Sequence, residues 1–393
     1  MTIMFTKKIA LEELDKKYLC KIHSYETGHV CKRYNLNEYL KKDKNELLAE
    51  NVLEITRNFN HRLKSFRQNI LMAPQSPLQI QHYQDRTEFQ CRGFAHIHGS
   101  AWSDLDKLEE KCPGIKLAFA KLKQRKRLSS SDIDPLLKFL KVCISCSTNF
   151  EKILEFGLDE HDAKKVSASV SEVNCHHHTK TCRKYSTDCR FNFPKFPSKF
   201  NIIAQEMEEQ PEDEEARLKH NTKKNNINCL LKRIKSLLPG DGETEKDIQL
   251  NELLKEAIPK VYSIEKDGES SIVAKFEDVE ISFNQSEVYK KYSTISNGYE
   301  ESFDEDQMRN ALYHYALSFC DYGTNVILER DVKDVYINNY NPFWMLAWDG
   351  NIDIHLCLDY HSVITYMTMS QSLKKAKICA MRKHPRPCIC LVV

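Results

Sequence analysis

The chain has 393 residues, with 58 Lys+Arg against 56 Asp+Glu and a net charge of +2. At roughly 100–200 residues per domain this is room for two or three cores, and 41% hydrophobic with 29% charged residues excludes wholesale disorder. The near-neutral balance excludes a uniformly basic protein, so any nucleic-acid surface must be local.

No run of 18 apolar residues occurs, so no membrane span or membrane partner is expected. Lys7, Lys8, Glu12, Glu13 and Asp15 interrupt any apolar leader, so a secretory signal is not expected either. Fifteen cysteines in such a chain point to thiols and metal ligands rather than a disulfide framework.

In chain order, residues 1–75 read as a helical region. Leu48, Val52, Ile55, Phe59, Leu63, Phe66 and Ile70 recur at steps of three and four, predicting an amphipathic helix over 45–72 that Pro74 and Pro77 end. Residues 78–90 and 95–102 alternate as two strands of a β-hairpin around Arg92-Gly93. Helix follows over 104–142, broken at Pro113-Gly114. Residues 143–200 read as loop and hold most of the Cys/His density. An acidic linker spans 206–215. Helix returns over 225–258, broken at 239–242, and strands over 270–276 and 279–283. A helix over 305–319, strands at 335–337 and 352–358, and a last helix over 362–377 complete the reading. The class is α+β: a small antiparallel sheet covered by helices, with an inserted Cys/His module near 140–200. The boundaries are 1–75, 76–139, 140–200, 201–260, 261–373 and a tail at 374–393.

Within the hairpin, His96 and His98 flank one apolar residue. Strand alternation turns both imidazoles to one face, where they can hold one divalent cation. Glu88 on the partner strand is the first choice of third ligand, with Gln90 an alternative. A His-His-carboxylate set leaves positions open for substrate oxygen, as metal-assisted phosphodiester chemistry requires. Two half-exposed strand histidines are the competing reading.

A second constellation is Cys175-His-His-His-Thr-Lys-Thr-Cys182 followed by Cys189. Thiolate and imidazole together favour tetrahedral Zn²⁺. Cys175, His178, Cys182 and Cys189 are the expected ligands, and which histidine binds stays open. Arg190-Phe-Asn-Phe-Pro-Lys-Phe-Pro197 alternates aromatics and cations, a pattern suited to a single strand. Lys121 to Arg127 holds five cations in seven residues, suited to a nuclear address, a phosphate-contacting patch or a solvated helix face.

The string Glu88-Phe-Gln-Cys-Arg-Gly-Phe-Ala-His-Ile-His98 resembles the "E-F-Q-x-R-G-x-P-H-x-H" signature of Helitron-type rolling-circle initiators, the helicase-like N-terminal regions of Helitron transposases in the HUH endonuclease superfamily. Seven of its eight specified positions match, with Ala95 in place of proline. The resemblance continues through His176 to Pro197, and through Asn338-Asn-Tyr-Asn-Pro342, Ala347-Trp-Asp-Gly-Asn-Ile-Asp-Ile-His355 and Val363-Ile-Thr-Tyr366. It covers about 50–200 and 305–372.

The resemblance implies Mg²⁺ or Mn²⁺ on His96 and His98 and zinc in the Cys/His block. It implies Tyr366 as nucleophile on single-stranded DNA, leaving a 5′-phosphotyrosine. Ser370 stands where the family has its second tyrosine, and His355 where relatives carry Gln or Glu, so His355 competes with Glu88 as third ligand. Arg92, Lys180, Arg183, Lys184 and Arg190 are the expected DNA contacts, and a nucleus the expected location. No G-x-x-x-x-G-K-[ST] string occurs, so a helicase is expected as a separate partner. A disarmed transposon remnant that keeps zinc and single-strand binding is the rival reading. The tail at 374–393 fits neither the core pattern nor the family.

Overall fold

The structure is a computed structural model that describes residues 52–89, 95–180, 182–183, 188–208, 210–242, 248–266, 268–298, 303–321, 323–357 and 388–392. Helix α1 (Val52–Phe66) buries Phe59, Leu63 and Phe66, the stripe its periodicity predicts, and runs on into a π-helical turn over Arg67–Leu71. Strands β1 (Ile80–Phe89) and β2 (Ala95–Ser103) pair antiparallel. Arg67 clamps the π turn to β1 through two hydrogen bonds to the Asp85 carboxylate, Nε to Oδ2 at 2.8 Å and Nη2 to Oδ1 at 2.5 Å.

Asp104 caps α2 (Leu105–Lys111). The predicted break follows: Gly114 has φ +92°, and a Cβ there would stand 3.1 Å from Pro135 Cγ. Helices α3 (Ile115–Lys123) and α4 (Ser130–Cys143) are joined by Lys121, whose ammonium bonds both oxygens of the buried Asp132 at 2.7 Å. Arg127 bonds the Glu206 carbonyl. Two cations of the 121–127 run are thus held by the fold itself.

The stretch expected as loop over 143–200 contains two helices. Asn149 caps α5 (Phe150–Leu154) and Asp159 caps α6 (Glu160–Val173), whose Ala163, Val166 and Val170 are buried. After β3 (Ile202–Glu206) come α7 (Glu214–Ser236) and α8 (Leu250–Ala257). An antiparallel meander β4 (Lys260–Lys266), β5 (Glu269–Phe276) and β6 (Val279–Asn284) leads to α9 (Gln285–Ser296) and α10 (Glu305–Leu317). Short strands β7 (Phe319–Cys320) and β8 (Thr324–Ile327) flank β3, parallel and antiparallel respectively. Helix α11 (Pro342–Trp348) precedes β9 (Asp353–Cys357), and β10 (Cys388–Val392) closes the described chain.

The predicted strand at 335–337 does not form. Asp334 and Ile337 spend their carbonyls on the buried Arg330 guanidinium, at 2.6 and 2.7 Å, and only Ile337 makes an isolated bridge, to Cys175.

The main sheet has the order β1-β2-β10-β9. The tail, which fits no pattern in the sequence, therefore supplies a central strand. One face of this sheet (Ala95, Ile97, Ala101, Ile354), with Ile352 just before β9, joins α1–α6 and α11 in the first core. Trp344 and Trp348 meet Phe66 edge-on there, and Trp348 also meets Phe59. The second core joins α7, α8, the β4–β6 meander and α10. Residues 260–284 thus belong to their own sheet rather than to the one carrying His96. The described chain is α+β with small, mainly antiparallel sheets, and none of its helices is long and apolar enough to cross a membrane.

Candidate metal centres

Register fixes the histidine face of the main sheet. In β2, Ile97 turns into the core, so His96 and His98 turn to the other face. Directly opposite in β1 stand Glu88 (across from His96) and Arg86 (across from His98). Paired residues share a face, so Arg86 is a cation beside the histidines; it lies outside the sequence motif, and strand pairing counted from the hairpin turn is the signal that locates it. Gly99 lets β1 approach here: a Cβ at Gly99 would sit 3.0 Å from Asp85 Cβ.

The His96 and His98 Nε2 atoms are 3.1 Å apart, with His96 buried and His98 half-buried. Two imidazoles bound to one ion at about 2.1 Å, with a bond angle of about 90–109°, have nitrogens about 3.0–3.4 Å apart. The pair therefore fits a shared divalent ion. The same spacing also accommodates an N–H···N bond between the rings.

His355 lies on this face too, because β10 carries the register from Ser100 through Cys390 to His355. It stands two strands away, about 10 Å. Its Nε2 lies 3.0 Å from Asp353 Oδ2, and the structure does not bring it into a three-ligand group with the pair. Burial opposes ionisation of Asp353, but His355, Lys195 and Arg330 together hold its carboxyl below the ordinary value.

Among the described residues, one group of three or more metal-binding side chains converges: His176, His178, Cys182 and Cys189, with all ligand atoms within 4.8 Å of one another. His176 Nε2 lies 3.4 Å from Cys189 Sγ, and His178 Nδ1 lies 3.5 Å from Cys182 Sγ. Zn–S of about 2.3 Å and Zn–N of about 2.05 Å at the tetrahedral angle give an S···N edge of about 3.6 Å. The set can thus hold a metal such as zinc.

Three of the four expected ligands are in place, and Cys175 is not. Its position is taken by His176. The chain here is extended: Cys175 forms the bridge to Ile337, and the His176 N–H donates to Tyr336 O at 2.8 Å. Neighbours in an extended chain point oppositely. His176 therefore turns to the thiolates while Cys175 packs against both cores. Burial pushes the Cys175 thiol up, disfavouring the thiolate. Burial and the neighbouring His178 lower His176 to about 4, which keeps its imidazole neutral as a ligand must be. Asp241 pins the loop from outside, accepting from the His178 N–H at 2.7 Å and lying 3.0 Å from His177 Nδ1.

The Asn-Asn-Tyr-Asn-Pro segment joins these parts. Tyr340 exchanges backbone bonds with Ser145, and its hydroxyl donates to Ser147 O at 2.6 Å. Asn341 caps α11, and the Asn339 carbonyl accepts from the Ile354 N–H at 2.9 Å, which sets the start of β9. Lys180, Arg183 and Arg190 are exposed around the Cys/His cluster. Arg92, Lys184 and Tyr366 lie outside the described residues, and Glu88 is placed by its strand position alone. Compared with known proteins, the chain matches no family model, no curated protein and no solved structure.

Proposed function

We propose that the chain is a Helitron-type endonuclease of single-stranded DNA that uses Tyr366 and a Mg²⁺ or Mn²⁺ ion, with zinc holding the Cys/His module as a structural element. The observation that carries this reading is the 3.1 Å approach of His96 Nε2 and His98 Nε2 on a face that also carries Glu88 and Arg86. The ion would supply positive charge against a non-bridging oxygen of the scissile phosphate. His96 and His98 hold it, and Glu88 is the third ligand. Arg86 faces phosphate charge from the adjacent strand.

The Tyr366 oxygen attacks phosphorus and keeps the 5′ phosphate. The bond to the 3′ oxygen breaks, and that oxygen leaves as a hydroxyl; the tyrosine proton passes to solvent. β9 ends at Cys357, and nine extended residues reach about 30 Å, so Tyr366 has the chain length to meet the histidines. With Ser370 in place of a second tyrosine, the product is a nick and a covalent adduct rather than completed strand transfer. A nuclear setting and a separate helicase complete the proposal, since the strand must be exposed before it is cut.

The test is metal-dependent nicking of a single-stranded oligonucleotide. Cleavage should appear with Mn²⁺, fall at least 100-fold in His98→Ala, and be absent from a duplex of the same sequence. Cleavage that persists in His98→Ala refutes the metal assignment.

A further inference from the structure

Phe191 is 47% exposed, while Phe193, two residues on, is 6% exposed. The intervening Asn192 has φ +60°, a left-handed conformation that asparagine tolerates better than most side chains. That turn puts one phenylalanine outside and the other inside. The inner ring stacks on the metal-site imidazole: Phe193 and His176 are 4.3 Å apart and 11° from parallel, with Tyr336 parallel beyond Phe193 at 6.3 Å. The outer ring meets the edge of His176 at 5.8 Å.

The backbone under Phe191 is fixed as well. Lys195 Nζ donates to the Phe191 carbonyl at 2.6 Å, and the Arg190 and Asn192 N–H groups bond the carbonyls of Cys182 and Cys189. An exposed aromatic is thus held rigidly on the metal module. The Arg190 guanidinium lies 4.5 Å over its ring. From 176 to 200 the chain carries Lys180, Arg183, Lys184, Arg190, Lys195 and Lys199 against the single acid Asp188.

We propose that this surface is a stacking station for unpaired nucleobases, with Phe191 as platform and Arg190 as phosphate contact. A base takes the ring face that Arg190 now covers, and the guanidinium exchanges its cation–π contact for an ion pair with the adjoining phosphate. A duplex keeps its bases stacked on one another and has none to offer. The station rests on the proposed function only for the strand being DNA. Stacking requires neither Tyr366 nor Mn²⁺.

The experiment is fluorescence titration of the full chain with oligonucleotides carrying one 2-aminopurine, in EDTA-free buffer without added Mg²⁺ or Mn²⁺. Deoxyribo and ribo single strands and a duplex are run in parallel. Wild type should bind single strands and quench the probe. Phe191→Ala should lose the quench and bind roughly 5- to 150-fold more weakly, the range for one lost base–aromatic stack, and Phe191→Tyr should restore both. Arg190→Ala should weaken binding and lower the log–log salt slope by about 0.7. Zinc content and circular dichroism equal to wild type confirm that each variant is folded. Unchanged affinity and quench in Phe191→Ala overturn the proposal, as does wild type binding duplex as well as single strands. If the stack is found but no nicking occurs, the station stands and the endonuclease reading falls. If nicking occurs without the stack, the reverse holds.

Discussion

Replacing His176 and replacing Cys175 should have opposite consequences, although the two residues are adjacent. In structural zinc sites binding is worth about 10–16 kcal/mol over four ligands, so one ligand accounts for about 2.5–4 kcal/mol, or roughly 100- to 1000-fold in affinity. His176→Ala removes a nitrogen 3.4 Å from Cys189 Sγ and also the ring stacked on Phe193, so the upper half of that range is expected. Cys175→Ser should leave zinc affinity within about tenfold, because its thiol packs against the two cores rather than joining the cluster. The assay is competition with a chromophoric zinc chelator, with Cys182→Ser as the positive control. A zinc-free Cys175→Ser beside a zinc-replete His176→Ala would refute the ligand assignment and restore the set read from the sequence.

Two further outcomes follow from buried polar groups. Asp334 is fully buried and accepts from Ser147 Oγ at 3.1 Å, Thr148 N at 3.2 Å and Thr148 Oγ1 at 2.6 Å. Asp334→Ala strands those donors and should cost about 3 kcal/mol in urea unfolding; a loss under 1 kcal/mol contradicts the network. His314 is also fully buried; its Nε2 accepts from the Lys199 N–H at 3.2 Å, so its Nδ1–H donates to Asn310 O at 2.8 Å. Burial lowers His314 to about 4 from an ordinary 6.5, so between those values the unfolded chain binds more protons. Stability from this group is complete above pH 6.5 and declines as pH falls towards 4, by up to about 3 kcal/mol. His314→Gln should flatten that part of the pH–stability curve, and an unchanged slope would show that another group causes it.

How much of this is legible in the sequence depends on whether the determinants are local. The β1–β2 hairpin and α1 are, because alternation and three–four spacing report which face is buried. Helix α6 is equally regular in Ala163, Val166 and Val170 after the cap Asp159, but the Cys/His density beyond it draws the reading towards loop. The failed strand at 335–337 and the exchange of Cys175 for His176 have one origin. Both depend on Arg330 and on the 335–340 segment, more than 140 residues from the Cys/His loop, and spacing within the loop cannot reveal which neighbour faces inward. The placement of β10 between β2 and β9 is likewise non-local. It is set by pairing with two strands whose free edges the sequence does not announce. Strands β5 and β6 read correctly as strands while β4 (Lys260–Lys266) goes unread, and strand propensity says nothing about which sheet a strand joins.

The central claim is tested most directly by a denaturing gel of the full chain incubated with a 5′-blocked, 3′-labelled single-stranded oligonucleotide, with and without Mn²⁺. The account predicts a labelled band at the size of the protein plus the oligonucleotide fragment. It should appear only with Mn²⁺, be absent from Tyr366→Phe and His96→Ala, and give a peptide spanning Tyr366 on digestion. Tight single-strand binding with no adduct under any divalent ion, or an adduct that survives Tyr366→Phe, would contradict it.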